Sequence, residues 1–375
     1  VSYVGAPAGS TYTPPPPPDP DPTPDPPSAE RFGSPVTTAT YTVPGTIPHT
    51  GAADASVDLV DWLNTTVPDG SIVDFAIPGA NYRMDDTGLF LPARNHLDIR
   101  GHGNTTITMN GVDAETFSTF HLRGSNHIKI VDFIVHGSYS IYPDQDGEES
   151  HLLGLSGWFG ARESSYVELA GIVGDHVFGD FVYAEGEDVG EQRASHHLWV
   201  HDNDFDYCGR NGFSAINLTD AWFEDNAMDH MAYHCFDVEP NQDAEEVRRI
   251  YFRRNDVGEY AARDGFIGFF FAAGSPNDAP VSNIVVQANT VAGIAANGYD
   301  ATPRCLNSAA RGAAAHRYQD ISILDNIGSR TVAGPAVLYA EYIDNLLITG
   351  NDQPLSSSTL VGVSACTNYT IEPNP

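Results

Sequence analysis

Lysine is almost missing from this chain. Among 375 residues there is one, Lys129, and the 18 Lys and Arg residues face 50 Asp and Glu, for a formal net charge of −32. So acidic a surface repels phosphate backbones and anionic membranes, which argues against nucleic-acid binding. Long apolar runs are missing too: no stretch reaches the roughly 20 residues a membrane helix needs. Val1-Ser2-Tyr3-Val4 has neither the basic nor the apolar region of a secretory signal, so a signal has been removed or none was used. Cysteine is scarce. Cys208, Cys235, Cys305 and Cys366 form no CxxC pair, and a zinc or thioredoxin-type site has no support. Four cysteines allow three disulfide pairings, with free buried thiols at least as good a reading. No HExxH, EF-hand loop or calcium-binding nonapeptide occurs. The carboxylate content leaves a bound Ca²⁺ open as a cofactor without marking any ligand, and no metal site is assigned.

What the chain has in excess at one end is proline. Residues 1–35 carry five consecutive prolines, Pro14 to Pro18, and then Asp19, Asp21 and Asp25 alternating with further prolines. This composition favours polyproline II, extended and without internal hydrogen bonds or a core. The segment reads as a stiff linker, or as a tether that docks into a larger assembly. Either way, residues 10–30 should lack helix and strand and touch little of the remaining chain.

The rest is organised by a recurring phrase. Val200 to Phe205, Phe223 to Met228, Phe252 to Val257 and Val286 to Val291 each place an asparagine inside an apolar frame, at Asn203, Asn226, Asn255 and Asn289. Two looser copies carry Asn326 and Asn351. Short apolar run, polar turn with Asn, short apolar run is one rung of a parallel β-solenoid. The Asn-to-Asn spacing varies from 23 to 37 residues, so strands repeat while loops vary. Asparagine suits such a corner because it tolerates positive φ and its amide donates and accepts at once. The expectation is a stacked Asn column.

Upstream, residues 36–110 read as a cap and first coils, and residues 111–375 as the β-helix body with a C-terminal cap. Thr40 to Val43 is a predicted strand. Ser56 is a predicted N-cap for a helix that puts Leu59, Trp62 and Leu63 on one face. Pro68-Asp69-Gly70 ends it. His127 to His136 alternates well enough for two strands, Glu185 to Glu191 reads as a solvated acidic loop, and Ala309 to Ala315 as a short helix or loop. The stretch from Val67-Pro68-Asp69-Gly70 through Leu97-Asp98-Ile99-Arg100-Gly101-His102-Gly103 resembles the opening of pectate-lyase-like, right-handed parallel β-helix proteins. The Asn-centred rungs, with Gly209-Arg210-Asn211-Gly212-Phe213 and Phe236-Asp237-Val238-Glu239-Pro240, resemble the same class. The resemblance covers about residues 40–370. It implies an all-β, right-handed parallel β-helix with an N-terminal capping helix. It implies no single activity, since the superfamily holds lyases, hydrolases, epimerases and phage tailspikes.

The candidate site is Asp237, Glu239 and Arg210 for catalysis, with Tyr207, Tyr233, His234, Asp180 and Asp264 for substrate binding. Residues i and i+2 of a strand share a face. If Phe236 and Val238 enter the core, Asp237 and Glu239 both point out, with Arg210 one rung earlier. A carboxylate pair beside an arginine suits glycoside hydrolysis, with one acid and one base. It also suits lyase chemistry, where Arg or a metal neutralises a uronate while a base takes a proton. An ion-pair network that only holds the coil is an equal contender. Most histidines read as solitary surface residues, and Trp222 as interior. Tyr207 and Tyr233 are placed in turns as stacking surfaces for sugars. Three functions remain open. One is a virion appendage resembling a tailspike, trimeric by resemblance, held to other virion proteins by its Pro-rich N-terminus and recognising or cleaving a host-surface glycan. The others are a secreted polysaccharide lyase or glycoside hydrolase, and a non-catalytic cell-surface scaffold.

Overall fold

The computed structural model describes residues 32, 39–85, 87–110, 118–144, 150–155, 162–187, 193–241, 245–261, 267–269, 281–294, 308–311, 318–328, 336–351 and 359–372. These form thirty strands and one helix, arranged as a 20-stranded and a 10-stranded sheet, with every strand pairing parallel. The larger sheet is two ladders joined by the long strands Asn95–Met109 and Asn126–His136, each of which belongs to both. The chain therefore winds past three walls per turn. One rung shows the path. Ser195–His201 lies on the first wall, Asn203 turns the corner, Asp204–Cys208 lies on the second and Phe213–Ala215 on the third. Leu218–Glu224 then pairs with Ser195–His201 to start the next turn.

The core is continuous because each wall sends alternate residues inward. Phe181 stacks on Phe205 at 4.4 Å, Phe213 on Phe236 at 5.5 Å, and Phe236 on Phe252 at 5.0 Å. Each buried Phe contributes about 1.5–3 kcal/mol over leaving it in water. Parallel stacking repeats because the same position recurs on each turn.

The corner is held by the expected asparagines. Nδ2 of Asn203 donates to Oδ1 of Asn226 at 2.8 Å, Asn226 to Asn255 at 3.0 Å, and Asn255 to Asn289 at 3.0 Å. The two looser copies join in, Asn289 to Asn326 at 2.8 Å and Asn326 to Asn351 at 2.9 Å. From Asn226 on, each Oδ1 also accepts the backbone N–H of the preceding asparagine, Asn203 Oδ1 accepts that of Ile172, and each Nδ2 reaches a carbonyl of an earlier rung. Every buried amide is thus satisfied, as burial requires. The reason for Asn needs correcting, however. The left-handed residues are the ones just before: Asp202, Asp225, Arg254, Ala288 and Asp325, with φ of 53° to 57°. Asparagine is there for its amide, not its backbone. A second corner, unseen in the sequence, is held by serines. The N–H of Ser125 donates to Ser164 Oγ at 3.2 Å, and that of Ser164 to Ser195 Oγ at 3.0 Å.

Other expectations change in detail. The helix runs Ser56–Thr65 with Leu59 and Leu63 buried. Ser56 is its first residue rather than its cap, and its N–H donates to the Asp54 carboxylate at 2.9 Å. Asn126–His136 is one strand, bent at Asp132 where φ is 63°. Ser308–Arg311 is a strand, because it pairs with Ala336–Glu341 on the third wall. Glu185 is buried at 6% exposure rather than solvated. Trp222 faces outward, since its neighbours Ala221 and Phe223 already fill the core. It is covered from outside by Phe32, which is fully buried against Tyr166 and Trp199 at centroid distances of 6.1 and 5.9 Å. Residues 10–30, on which the tether expectation falls, lie outside the described residues, as do Asp264 and Cys305. Cys208 and Cys235 are buried free thiols. Among the described residues no helix is long and apolar enough to cross a membrane.

Candidate active site on the third wall

The strands Val182–Ala184, Phe213–Ala215 and Phe236–Val238 lie side by side, with Tyr183, Ser214 and Asp237 in register. Their neighbours in each strand enter the core, so these three side chains point to the outer face. Three residues earlier in each strand's approach, the chain turns from the second wall to the third. There Asp180, Asn211 and His234 occupy equivalent positions. The backbone N–H of Asn211 donates to Asp180 Oδ1 at 2.7 Å, and that of His234 donates to Asn211 Oδ1 at 3.0 Å. One turn earlier the same position holds His151, whose Nδ1 accepts the Asp180 N–H at 2.9 Å and whose ring stacks on Tyr183 at 4.5 Å.

Asp237 sits where these two columns meet. Its Oδ2 accepts from Asn211 Nδ2 at 3.3 Å, the same amide that donates to Ser214 Oγ at 3.0 Å. Its Oδ1 is buried and meets no donor. The neighbour that would complete it, Glu239, is itself a carboxylate, so only a shared proton can join the two. Burial pushes the Asp237 carboxyl well above its usual range, the charges of Glu239 and Asp180 push further, and the Arg210 guanidinium pulls back. Burial also raises Glu239, with Arg210 opposing and Asp180 adding. Two carboxyls that share a site resist joint ionisation, and the pair titrates as a unit. Arg210 Nε lies 3.9 Å from Asp180 Oδ1, and the guanidinium is 19% exposed.

The structure thus gathers Asp180, Arg210, Asp237 and Glu239 on one face. It differs from the expected open pair in depth: Asp237 is 1% exposed, and Glu239 and Arg210 carry the accessible surface. Tyr233 follows Arg210 by one turn, its N–H donating to the Arg210 carbonyl at 2.9 Å. His234 has no exposed surface, contrary to the solitary surface histidine expected, and burial lowers its pKa to about 3. His151, likewise buried, is lowered to about 4. Tyr207 is elsewhere. It lies in the second-wall strand Asp204–Cys208, stacked between His176 and His230 at 4.9 and 4.2 Å. Sequence reasoning missed Asn211, Ser214 and His151. Their signal is a constant offset: His151, Asp180, Asn211 and His234 each stand three residues before Gly154, Tyr183, Ser214 and Asp237.

One grouping among the described residues has ligand spacing for a metal. Oxygen or nitrogen atoms of Asp206, Asp229 and His230 lie within 4.8 Å of one another on the second wall. They already answer each other, with His230 Nδ1 at 2.7 Å from Asp206 Oδ1 and the Asp229 carboxylate accepting the His230 N–H at 2.9 Å.

The sequence matches no family model and no curated protein. Solved structures do match. A Family 28 exopolygalacturonase of Yersinia enterocolitica superposes with a TM-score of 0.53 at 12% identity, over 90% of this chain and 79% of that one. The catalytic domain of Agl-KA superposes with a TM-score of 0.54 at 8% identity, over 90% and 70%. At such identities the likeness speaks for the fold, and the chain has the fold of the pectate-lyase-like, right-handed parallel β-helices.

Proposed function

We propose that this chain cleaves a polysaccharide by hydrolysis, with Asp237 as general acid and Glu239 as general base. The observation that carries the reading is the buried Asp237 Oδ1, which meets no donor and lies beside a second carboxyl, where burial and the charges of Glu239 and Asp180 push the Asp237 carboxyl well above its usual range. A structural ion pair would instead have its oxygens satisfied and its charge kept. In the working state the pair holds one proton. Asp237 passes it to the glycosidic oxygen as the C–O bond breaks, and Glu239 takes a proton from the water that attacks the anomeric carbon. Arg210 counters the negative charge of Asp180 and Glu239 and so keeps the ionised partner available. Elimination fits less well, since it needs a strong base where this site offers a bound proton. The exopolygalacturonase whose fold is shared acts on a polysaccharide by its name, which agrees with this substrate class.

The test is incubation of the full chain with neutral and uronate-rich glycans, followed by mass analysis of the products. Hydrolysis adds one water per cut. Unsaturated ends would assign a lyase, and binding without products would return the chain to the scaffold reading. The full chain is needed because truncation near residue 36 removes Phe32 and uncovers Trp222. The finer reading, a tailspike-like appendage that carries this site to a host-surface glycan, is supported by the Pro-rich residues 1–35 as an attachment. Its test is co-purification of the chain with virus particles, against release of the free chain into the medium. Sedimentation of the purified chain tests the trimer that accompanies that reading.

A further inference from the structure

The second wall breaks strand alternation at the same place on successive turns. In Asp204–Cys208 and Ala227–Met231 two consecutive residues stay partly exposed between core-facing neighbours, Asp206 with Tyr207 and Asp229 with His230. Strict alternation would send one of each pair inward. Tyr207 and His230 instead adopt left-handed backbone, with φ of 53° and 54°, which turns both side chains of each pair outward. Asp206 and Asp229 stand in register on the two adjacent strands. His230 is thereby delivered to two carboxylates at once, its Nδ1 2.7 Å from Asp206 Oδ1 and 3.5 Å from Asp229 Oδ1. A third carboxylate, Glu259 on the strand Asp256–Tyr260, faces the other ring nitrogen, with Oε2 3.8 Å from Nε2. Among the described residues, His230 is the only ion-pair partner of these three acids.

We propose that Asp206, Asp229 and His230 bind a divalent transition cation, of the zinc or manganese class. Metal–ligand lengths of about 2.0–2.2 Å set neighbouring donors about 3–3.5 Å apart, and the two distances from His230 Nδ1 bracket that spacing. One imidazole nitrogen among carboxylate oxygens suits such an ion better than Ca²⁺, which gathers oxygens alone. The ion replaces the proton between His230 Nδ1 and Asp206. Like charges facing each other across strands repel, and a dication between them turns the repulsion into attraction. The donors are held before the ion arrives. Tyr207 stacks on the His230 ring at 4.2 Å, and Tyr142 meets it edge-on at 5.1 Å. Asp229 Oδ1 accepts the backbone N–H of His230 at 2.9 Å and that of Glu259 at 2.6 Å. Gly258 leaves this carboxylate its room, since a Cβ there would come within 2.3 Å of Asp229 Oδ1. Glu259 supplies the carboxylate that a metal-ligating imidazole takes on its other nitrogen. A separate observation points to a ligand. The Tyr142 hydroxyl is buried and has no hydrogen-bond partner. Burial first, then the charges of Glu259 and Asp229, push its phenol above the ordinary value. A water carried by the ion gives that hydroxyl its partner. The way in is open, with the side chains of Asp206 and Asp229 44% and 49% exposed. The site is distinct from the third-wall carboxylates. Its strands lead into the turns that carry Arg210 and His234, so the ion would tie together two rungs of the proposed active site.

The test is isothermal titration calorimetry of the full chain, stripped with EDTA, against ZnCl₂, MnCl₂ and CaCl₂ in turn. One Zn²⁺ or Mn²⁺ should bind per chain, more tightly than Ca²⁺. His230→Gln and Asp206→Asn should each weaken that binding by about 100-fold or more, beyond the 10–100-fold usual for a residue that only supports a ligand. Both side chains lie at the surface, and circular dichroism of each variant confirms that the solenoid is intact. Two variants serve as controls. His136→Gln breaks another histidine–aspartate contact of the same wall, the one with Asp175 at 2.8 Å, and Asp237→Asn alters the third-wall carboxylates. Metal affinity should be unchanged in both. No binding, tighter binding of Ca²⁺, full affinity in His230→Gln or Asp206→Asn, or loss of binding in either control would each overturn the site.

Discussion

The proposed hydrolysis turns on one side chain, Asp237. Its carboxyl is raised in the folded state, so between the unfolded value near 4 and the raised folded value the native chain binds more protons than the unfolded chain. Stability contributed by that proton is present at low pH and lost as pH rises through the folded value. Asp237→Asn removes the penalty of ionising in a buried site. We expect glycan cleavage to fall by about 10²–10⁴-fold, the usual worth of a general acid, with a melting temperature at pH 7 equal to or above that of the parent. Lower melting with cleavage intact would make Asp237 a scaffold residue. The buried histidines run the other way. His234 is lowered from 6.5 to about 3, and His151 and His121 to about 4, all by burial first. The unfolded chain takes up protons that these folded histidines refuse, so stability is full above pH 6.5 and is lost as pH falls below it. Each residue accounts for a loss on the order of 3 kcal/mol by the lower end of that window. Urea titrations at pH 7 and pH 5 should show the drop, and His234→Gln should flatten it if the variant folds; His151→Gln is the second probe.

At the scale of single elements, the asparagine column carries more than any one strand. Removing Asn255 takes the acceptor from the Asn226 backbone N–H and side-chain amide, and the donor from the Phe223 carbonyl. Each buried group left unpaired costs about 1–3 kcal/mol. Asn255→Ala should therefore lower unfolding free energy by at least about 3 kcal/mol. Asn203→Ala, at the start of the column, takes the acceptor only from the Ile172 backbone N–H and the donor from the Leu169 carbonyl, and should cost less. Equal costs in urea titrations would mean the column does not act as a connected ladder. The corner was legible in the sequence because its apolar frame repeats. The serine corner was not, since serine is common and only stacking gives it meaning. Strand alternation found the outward position of Asp237 but put Trp222 inside. A row of aromatics has the same apolar pattern whether it faces the core or a covering segment.

The whole molecule is a long anionic cylinder with its walls in register. At −32, self-repulsion opposes the compact state. Salt screens charges beyond about 10 Å at 0.1 M. The melting temperature should therefore rise from low ionic strength to about 1 M NaCl. A fall would mean that the surface ion pairs, such as Arg249 with Asp220 at 2.5 Å, outweigh the net charge.

By itself the sequence determined the solenoid, because a rung that repeats its apolar frame can bury it only on another copy of itself. It also determined the Asn column and the strand holding Asp237. Only the tertiary structure decided which residues meet around that carboxyl. Loops of unequal length separate the turns, so the meeting of Asp180, Arg210 and Glu239 depends on the register between strands rather than on distance along the chain. Depth was likewise decided in three dimensions. Asp237 is buried, and its carboxyl is pushed above its usual range, because neighbouring turns cover it, and no count along one strand can show what the next strands place on top.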